Sequence, residues 1–372
     1  MKIAMLISGG VDSSVALQLL KEQGHDLTAY YLKIWLEDEL TYLGECPWEE
    51  DLSFCEVVCK KLNVPLKVIS MQKEYWDNVV EYTISEAKKG RTPNPDIFCN
   101  LRVKFGAFFK AIDDSFDKVA TGHYAQVQET EHRIQNTEKK GQKASVSCVL
   151  CPVSYVLRRA PDPIKDQTYF LAHLDQTQLS RAMFPIGHLK KEEVRKLAKK
   201  YDLANKDRKD SQGICFLGKI SFPEFLKHHL GEEKGEFRDK ETGEVVGEHS
   251  GYWFYTIGQR QGLGLSGGPW FVVDKDVEKN IVYLANGRDP KEVYKTEFEV
   301  EKIHWINPQL RITNYELRVK IRHGAAMYSC VLNVKKDGTG HVKLDEKVHG
   351  VASGQFAVFY DDDICLGCAK IT

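Results

Sequence analysis

The stretch that decides the fold is Lys2-Ile3-Ala4-Met5-Leu6-Ile7-Ser8-Gly9-Gly10-Val11-Asp12-Ser13-Ser14. Residues 2–7 form a short apolar run that predicts a buried parallel strand, and Ser8-Gly9-Gly10 predicts a turn. Over 13–23, Val15, Ala16, Leu19 and Leu20 recur at helical spacing, with Gly24 as a natural stop. A Gly-Ser loop between a strand and a helix suits a phosphate. The glycines admit close approach, and the N–H groups of the first turn and the Ser hydroxyls donate to phosphate oxygens. Asp12 would orient the loop or help hold a magnesium ion. No Gly-Lys-Ser/Thr follows, so this is not the loop of γ-phosphoryl transfer. It predicts a grip on the pyrophosphate of ATP and an adenylated intermediate. The bland alternative is a helix-capping turn.

Outward from that loop, strands are expected at 27–34, 66–70 and 118–121, and helices at 51–62 and 75–88. Strands alternating with helices imply a parallel sheet covered on both faces. Its ligand would lie beyond the carboxyl ends of the strands, where the 8–14 loop and Gly122-His123 both fall. The Lys-rich segment 128–156 breaks the pattern and reads as a surface insertion without assigned structure. Helices are expected at 176–183, 190–201 and, with Ser221 as cap, 221–230. After Gly231, turns and short alternating runs at 297–304, 315–321, 328–335, 341–344, 355–360 and 364–371 predict a small all-β barrel.

A chain of 372 residues calls for two or three domains, and 42% hydrophobic with 28% charged residues is a globular composition. A formal net charge of -1 gives no overall argument for nucleic acid, although a local basic face is compatible with it. No targeting or membrane-spanning segment is read, which gives a cytoplasmic expectation, or an organellar matrix or stroma in a eukaryotic host. The ten cysteines are then expected to be thiols.

Two of them keep unusual company. Cys99 ends the Pro-rich loop Gly90-Arg91-Thr92-Pro93-Asn94-Pro95-Asp96-Ile97-Phe98-Cys99-Asn100, just before a helix-like run at 102–112 that favours a thiolate. Asp96 stands near enough to act as acid or base, or to contact a base. Cys215 lies in Asp210-Ser211-Gln212-Gly213-Ile214-Cys215-Phe216-Leu217-Gly218, after a basic run. Two reactive thiols over an adenylated carbonyl point to sulfur transfer, one bearing a persulfide and the other forming a disulfide as sulfur leaves. Buried structural cysteines are the competing explanation. Cys148-x-x-Cys151 with Cys365-x-x-Cys368 is a rival zinc reading, weakened by placement in different domains, and no metal site is assigned. Basic residues such as Lys190, Lys191 and Arg195 would face RNA phosphates or simply solvent.

Taken in order, the 8–14 loop, Gly90–Asp96, Cys99-Asn100, Thr121-Gly122-His123-Tyr124, Lys165-Asp166-Gln167, the Asp210–Phe216 motif, Tyr255-Thr256-Ile257-Gly258-Gln259-Arg260 and Gly354-Gln355 closely resemble the tRNA-specific 2-thiouridylases over nearly the whole chain. That resemblance implies an α/β PP-loop domain (adenine nucleotide alpha hydrolase-like, parallel sheet) at 1–205, a small central domain at 206–290 carrying the second cysteine, and a C-terminal β-barrel at 291–372 that contacts tRNA. It implies ATP, with Mg2+, at Leu6, Ile7, Ser8, Gly9, Gly10, Val11, Asp12, Ser13, Leu32 and Gly122. Asn94, Pro95 and Asp96 would meet the target uridine; His123, Lys165, Asp166, Gln167, Arg322, His323 and Gln355 would meet tRNA. Cys99 would be the nucleophile and Cys215 the persulfide carrier, joined in a catalytic disulfide. The implied reaction adenylates the C2 carbonyl of the wobble uridine and replaces its oxygen with sulfur. The sulfur would come from a persulfide donor such as a cysteine desulfurase or a sulfur-relay protein. Ile34 and Leu32 depart from the residues common in the family's base pocket, and His323 stands where an aromatic neighbour is common.

Overall fold

The computed structural model describes residues 1–34, 48–130, 154–210, 221–288, 290–310 and 315–372. Alternation along β1 (Lys2–Leu6) sends Ile3 and Met5 into one apolar cluster and Ala4 and Leu6 into another, so the strand is buried on both faces. It pairs in parallel with β2 (Asp26–Lys33), which pairs with β3 (Leu66–Ser70). On its other side lies β4 (Lys118–Ala120). Next along the chain come β5 (Ala125–Thr130) and β6 (Ser154–Arg159), and then β7 (Ala182–Met183), which pairs in parallel with β4. The sheet order is β3-β2-β1-β4-β7.

The chain leaves β1 towards β2 on one side and returns to β4 on the other. The crevice between the ends of β1 and β4 is therefore a topological switch point. Helices Val11–Glu22, Trp48–Leu62 and Lys191–Lys200 cover one face through Val15, Leu20, Val58, Cys59, Val194 and Ala198. The helical segments Gln72–Tyr75 to Glu81–Lys88 and Pro95–Phe98 to Phe108–Ala111 cover the other through Tyr75, Val79, Val103 and Phe108.

The central unit holds β8 (Gly235–Asp239), β9 (Val245–His249), β10 (Trp270–Asp276) and β11 (Ile281–Asn286), in sheet order β10-β11-β8-β9. Its core includes Phe237, Tyr252, Val272 and Leu284, with Trp253 and Tyr255 packed against it. Helix Phe222–Leu230 precedes it, capped by Ser221 in a capping box with Glu224.

Last come β12 (Tyr294–Trp305), β13 (Tyr315–Lys320), β14 (Tyr328–Val334), β15 (Gly340–His349), β16 (Phe356–Asp361) and β17 (Ile364–Ile371). They pair in the order β12-β15-β14-β13-β16-β17, and β12 also pairs with β17, so the six strands close into a barrel around Val319, Leu332, Val342 and Phe359.

One expectation needs correction. The ends of the 128–156 segment are strands: β5 and β6 pair antiparallel from Ala125↔Arg159 to Thr130↔Ser154, and β6 pairs with β17. A strand pair from the first half of the chain thus extends the C-terminal sheet. Tyr155, Val156 and Leu157 supply the β-branched and aromatic character that the Lys-rich composition obscured. Residues 131–153, with Cys148 and Cys151, lie outside the described residues, as do Trp35 and the 211–220 segment that carries Cys215.

Candidate active site: a nucleotide loop beside a cysteine helix

The loop after β1 is shaped by two glycines. Gly9 has φ +71°, and a Cβ there would stand 2.4 Å from the Asp51 carbonyl oxygen. Gly122, just past β4, lies so close to the loop that its Cβ would come within 2.7 Å of the Ser13 backbone nitrogen. Helix Val11–Glu22 begins two residues earlier than its apolar spacing indicated, so Asp12 and Ser13 sit in the first turn. Gly10 is the N-cap and brings no side-chain cap, which leaves the first-turn N–H groups to an anion. The Ser13 hydroxyl donates to the Gly10 carbonyl at 3.1 Å and accepts from the Ser8 N–H at 3.2 Å. This is a cradle that any side chain at Gly9 or Gly122 would fill, and it fits a nucleotide's phosphates.

Further residues brace the cradle, and sequence reasoning missed them. Asn205 Nδ2 donates to the Gly9 carbonyl at 2.7 Å and to Ser14 Oγ at 2.9 Å. Arg208 Nη1 donates to the same carbonyl at 3.1 Å and pairs with Asp51. Lys191 Nζ lies 2.8 Å from both oxygens of Asp12 and 2.8 Å from Asp210 Oδ1. Lys165 Nζ reaches Asp210 Oδ2 at 2.7 Å, and Arg195 pairs with Asp210 too. Burial pushes the Asp210 carboxyl up, but Lys165 and Lys191 outweigh it and hold it well below the usual carboxylate range. One sequence signal for Lys191, obscured by the lysine-rich helix around it, is its place at a helix start, where the dipole disfavours a cation unless carboxylates face it. Tyr124 donates to Asp12 Oδ1 at 2.9 Å; burial, with Asp12 beside it, lifts its phenol far above the ordinary range.

Leu32 lies near the end of β2, partly buried in the same cluster as Leu6 and Ile34. His123 bonds Thr121 Oγ1 through Nδ1 at 2.7 Å, and burial, helped by Lys104, holds its imidazole well below its ordinary pKa. Its ring stands 6.5 Å from Phe105, which lies in the Cys99–Ala107 π-helical segment. Gly122-His123 therefore touches the nucleotide loop on one side and the cysteine helix on the other.

That helical run opens at Pro95, not at 102. Asn94 caps it, accepting from the Ile97 N–H at 3.4 Å, with Pro95 in the first turn. Cys99 follows in the next turn, and its N–H donates back to the Pro95 and Asp96 carbonyls. It is 1% exposed. Asn100 is buried beside it; its Nδ2 donates to the Phe170 carbonyl at 3.3 Å, while its Oδ1 has no hydrogen-bond partner among the described residues. Asp96 is half-buried and Pro95 buried. The other described cysteines are poorly suited to attack: burial pushes Cys55 up to about 12, Cys59 to about 11 and Cys330 to about 12, and lifts Cys365 and Cys368 further.

The residues expected at tRNA divide in two. Arg322 and His323 are exposed, with His323 stacked on Phe170 at 4.6 Å, and Lys165 is half-buried. Asp166 is fully buried: Oδ2 accepts from Lys320 at 2.8 Å and Arg159 at 2.9 Å, and Oδ1 from Thr168 Oγ1 at 2.7 Å. Its carboxylate is spent inside the protein, so it anchors the 165–167 turn and presents nothing to RNA in this conformation. Gln167 accepts from the Tyr124 N–H through Oε1 at 2.9 Å. Gln355 bonds the 92–94 loop three times, through the Thr92 and Pro93 carbonyls and Asn94 Nδ2, and also meets the Tyr169 hydroxyl.

Comparison with known proteins follows this division of the molecule. The description "tRNA methyl transferase HUP domain" matches residues 1–219, "tRNA methyl transferase PRC-barrel domain" matches 223–286, and "Aminomethyltransferase beta-barrel domain" matches 295–371. The chain is 43% identical to the tRNA-specific 2-thiouridylase MnmA of Parabacteroides distasonis, covering 100% of this chain and 99% of the relative. It is 44% identical to the tRNA-specific 2-thiouridylase MnmA 1 of Bacteroides thetaiotaomicron, covering 100% of each. Against the protein of that name, MnmA, from Porphyromonas gingivalis the figures are 42%, 100% and 99%. With a phosphate cradle at the switch point, a capped cysteine helix beside it and full-length identity of this order, the chain belongs to the tRNA-specific 2-thiouridylase family.

Proposed function

We propose that this protein replaces the C2 oxygen of the wobble uridine of tRNA with sulfur, consuming ATP and releasing AMP and pyrophosphate. The observation that carries the reading is the meeting of the nucleotide loop and the Cys99 helix at Gly122-His123. A carbonyl activated at the loop lies within reach of sulfur chemistry at the helix, which supplies proximity.

The uridine leaves the anticodon stack at a cost of about a few kcal/mol. Asn94, Pro95 and Asp96 receive it, and the unsatisfied Asn100 Oδ1 is an acceptor matched to the N3–H of a uracil. The C2 oxygen attacks the α-phosphorus of ATP, pyrophosphate departs, and a poor leaving group becomes AMP. Ser8, Ser13 and the first-turn N–H groups hold the phosphates; Leu6, Ile7, Val11 and Leu32 line the nucleotide's approach. Asp12 is the carboxylate that would hold a magnesium ion, which would supply charge neutralisation at the phosphates, and its two oxygens both accept from Lys191. The terminal sulfur of a Cys215 persulfide then attacks C2 and AMP leaves. The Cys99 thiolate attacks the Cys215 sulfur, freeing thiouridine and leaving a Cys99–Cys215 disulfide for a thiol reductant to reopen.

Arg322, His323, Lys165 and His123 are assigned to the tRNA-facing side. The sulfur reaches Cys215 from a persulfide-bearing donor protein. We assign the reaction to the cytoplasm, in keeping with the bacterial relatives. No described helix is long and apolar enough to cross a membrane.

The matching domain family carries the name of a tRNA methyl transferase. A methyl transfer needs neither a pyrophosphate cradle nor two cysteines. The discriminating test is pyrophosphate release that depends on tRNA, together with Cys215→Ser: the variant should still release pyrophosphate and lose more than about a hundredfold in thiolation. Full thiolation by Cys215→Ser from a persulfide donor would overturn the mechanism.

A further inference from the structure

We propose that Gln355 is a positioning residue for the thiol site: from the C-terminal barrel it sets the 92–96 loop and, through it, the helix that carries Cys99. This rests on the reading of Cys99 as nucleophile.

The Gln355 amide is committed entirely within the chain. Nε2 donates to the Thr92 carbonyl at 3.3 Å and the Pro93 carbonyl at 3.0 Å. Oε1 accepts from Asn94 Nδ2 at 3.2 Å and lies 3.4 Å from the Tyr169 hydroxyl, whose one proton is shared with the Phe356 carbonyl at 3.1 Å. Both N–H donors and one acceptor site of the amide are engaged by the 92–94 loop, so turning the amide to RNA would release that loop. Its backbone is fixed to the barrel: the Ile371 N–H donates to the Gln355 carbonyl at 2.8 Å, and the Gly354 N–H donates to the Ile371 carbonyl at 2.9 Å.

The neighbouring backbone makes the same junction. The Thr92 N–H donates to the Ser353 carbonyl at 2.8 Å. Gly354, at φ +91°, packs so tightly that a Cβ would lie 2.8 Å from Arg91 Cβ and 2.8 Å from the Thr92 oxygen. On the loop side, Asn94 uses its Nδ2 on Gln355 and its Oδ1 on the Ile97 N–H, and so turns the barrel's hold into the start of the Pro95–Phe98 helix. Cys99 hangs from that helix through the Pro95 and Asp96 carbonyls. Releasing Gln355 therefore frees the loop, then the cap, then the first turn that buries the thiol.

The test reads Cys99 directly, without tRNA or ATP. The full-length protein is treated with iodoacetamide, and modification of Cys99 is followed by peptide mass spectrometry. The wild type, with Cys99 buried, should react slowly. Gln355→Ala should raise the rate about tenfold or more, because local opening replaces the three bonds to the loop with water. Gln355→Glu, which keeps the size but turns an oxygen onto the Thr92 and Pro93 carbonyls, should do the same, with circular dichroism matching wild type. In thiolation assays both variants should lose kcat while KM for tRNA stays within about twofold. An unchanged Cys99 rate overturns the proposal, whether or not KM for tRNA rises; a risen KM with an unchanged rate would assign Gln355 to RNA contact instead. If the wild type fails to thiolate tRNA at all, the functional reading falls, and the iodoacetamide rates still decide the role of Gln355.

Discussion

At the scale of single residues, the site is an arrangement of opposed charges around a loop that must accept more negative charge. Lys191 is shared between Asp12 and Asp210, and Asp210 immediately precedes the segment bearing Cys215. His173 shows a different use of burial. It lies between Phe98 and Phe356 and stacks on His304 at 4.5 Å. Burial, with His304 adding to it, lowers its pKa to about 4. The unfolded chain takes up this proton near the ordinary value of about 6.5, so between there and about 4 it binds more protons than the folded protein. Stability should therefore fall as pH drops through that window, by about 3 kcal/mol from this group. His173→Gln should flatten that part of a denaturation profile measured from pH 7 to 4; an unchanged slope would contradict the assignment. The phosphate loop and the Pro-rich loop leading to Cys99 were legible in sequence because their residue types and spacing are local, while Cys215 lies outside the described residues. Lys191, Asn205 and Arg208 were not, since their partners are far away in the chain and a lysine-rich helix reads as a solvated face.

At the scale of elements, the loop works because backbone meets backbone. Gly9→Ala should place a Cβ against the Asp51 carbonyl and impose a strained φ, so nucleotide binding measured by calorimetry should weaken at least about tenfold, with a stability loss of about 1–2 kcal/mol. Wild-type binding by this variant would mean that the cradle tolerates movement of the Trp48–Leu62 helix. The buried Lys320–Asp166 pair is the corresponding feature of the barrel wall. Lys320→Met should remove the cation while Asp166 stays desolvated, at a cost of about 3 kcal/mol in urea denaturation; a neutral result would show that Arg159 alone satisfies the carboxylate. The strands β1–β4, those of the barrel and most helices were readable from periodicity to within a few residues, while none of β8–β11 was expected. The β5–β6 pair was not readable either, because its strands flank a polar stretch and find their partner in β17, at the other end of the chain.

At the scale of the whole molecule, the three bodies follow one another in sequence but are interlocked in space. The strand pair β5–β6 joins the barrel sheet, Gly354-Gln355 presses on the 92–96 loop, and Asp166 is held by Lys320 of β13. A barrel that only handled RNA would need none of these ties. Alternation and turn residues revealed the parallel sheet first and the barrel last, and the central body was expected only from the resemblance, whereas their interlocking depends on side chains meeting across long stretches of chain, which no local pattern encodes. The central claim is that this assembly activates a uridine carbonyl and delivers sulfur to it. The most direct measurement is mass spectrometry of unmodified tRNA after incubation with the protein, ATP and a persulfide donor. The account predicts one oxygen-to-sulfur exchange at the wobble uridine, absent when ATP is withheld; an unchanged nucleoside, or the added mass of a methyl group, would contradict it.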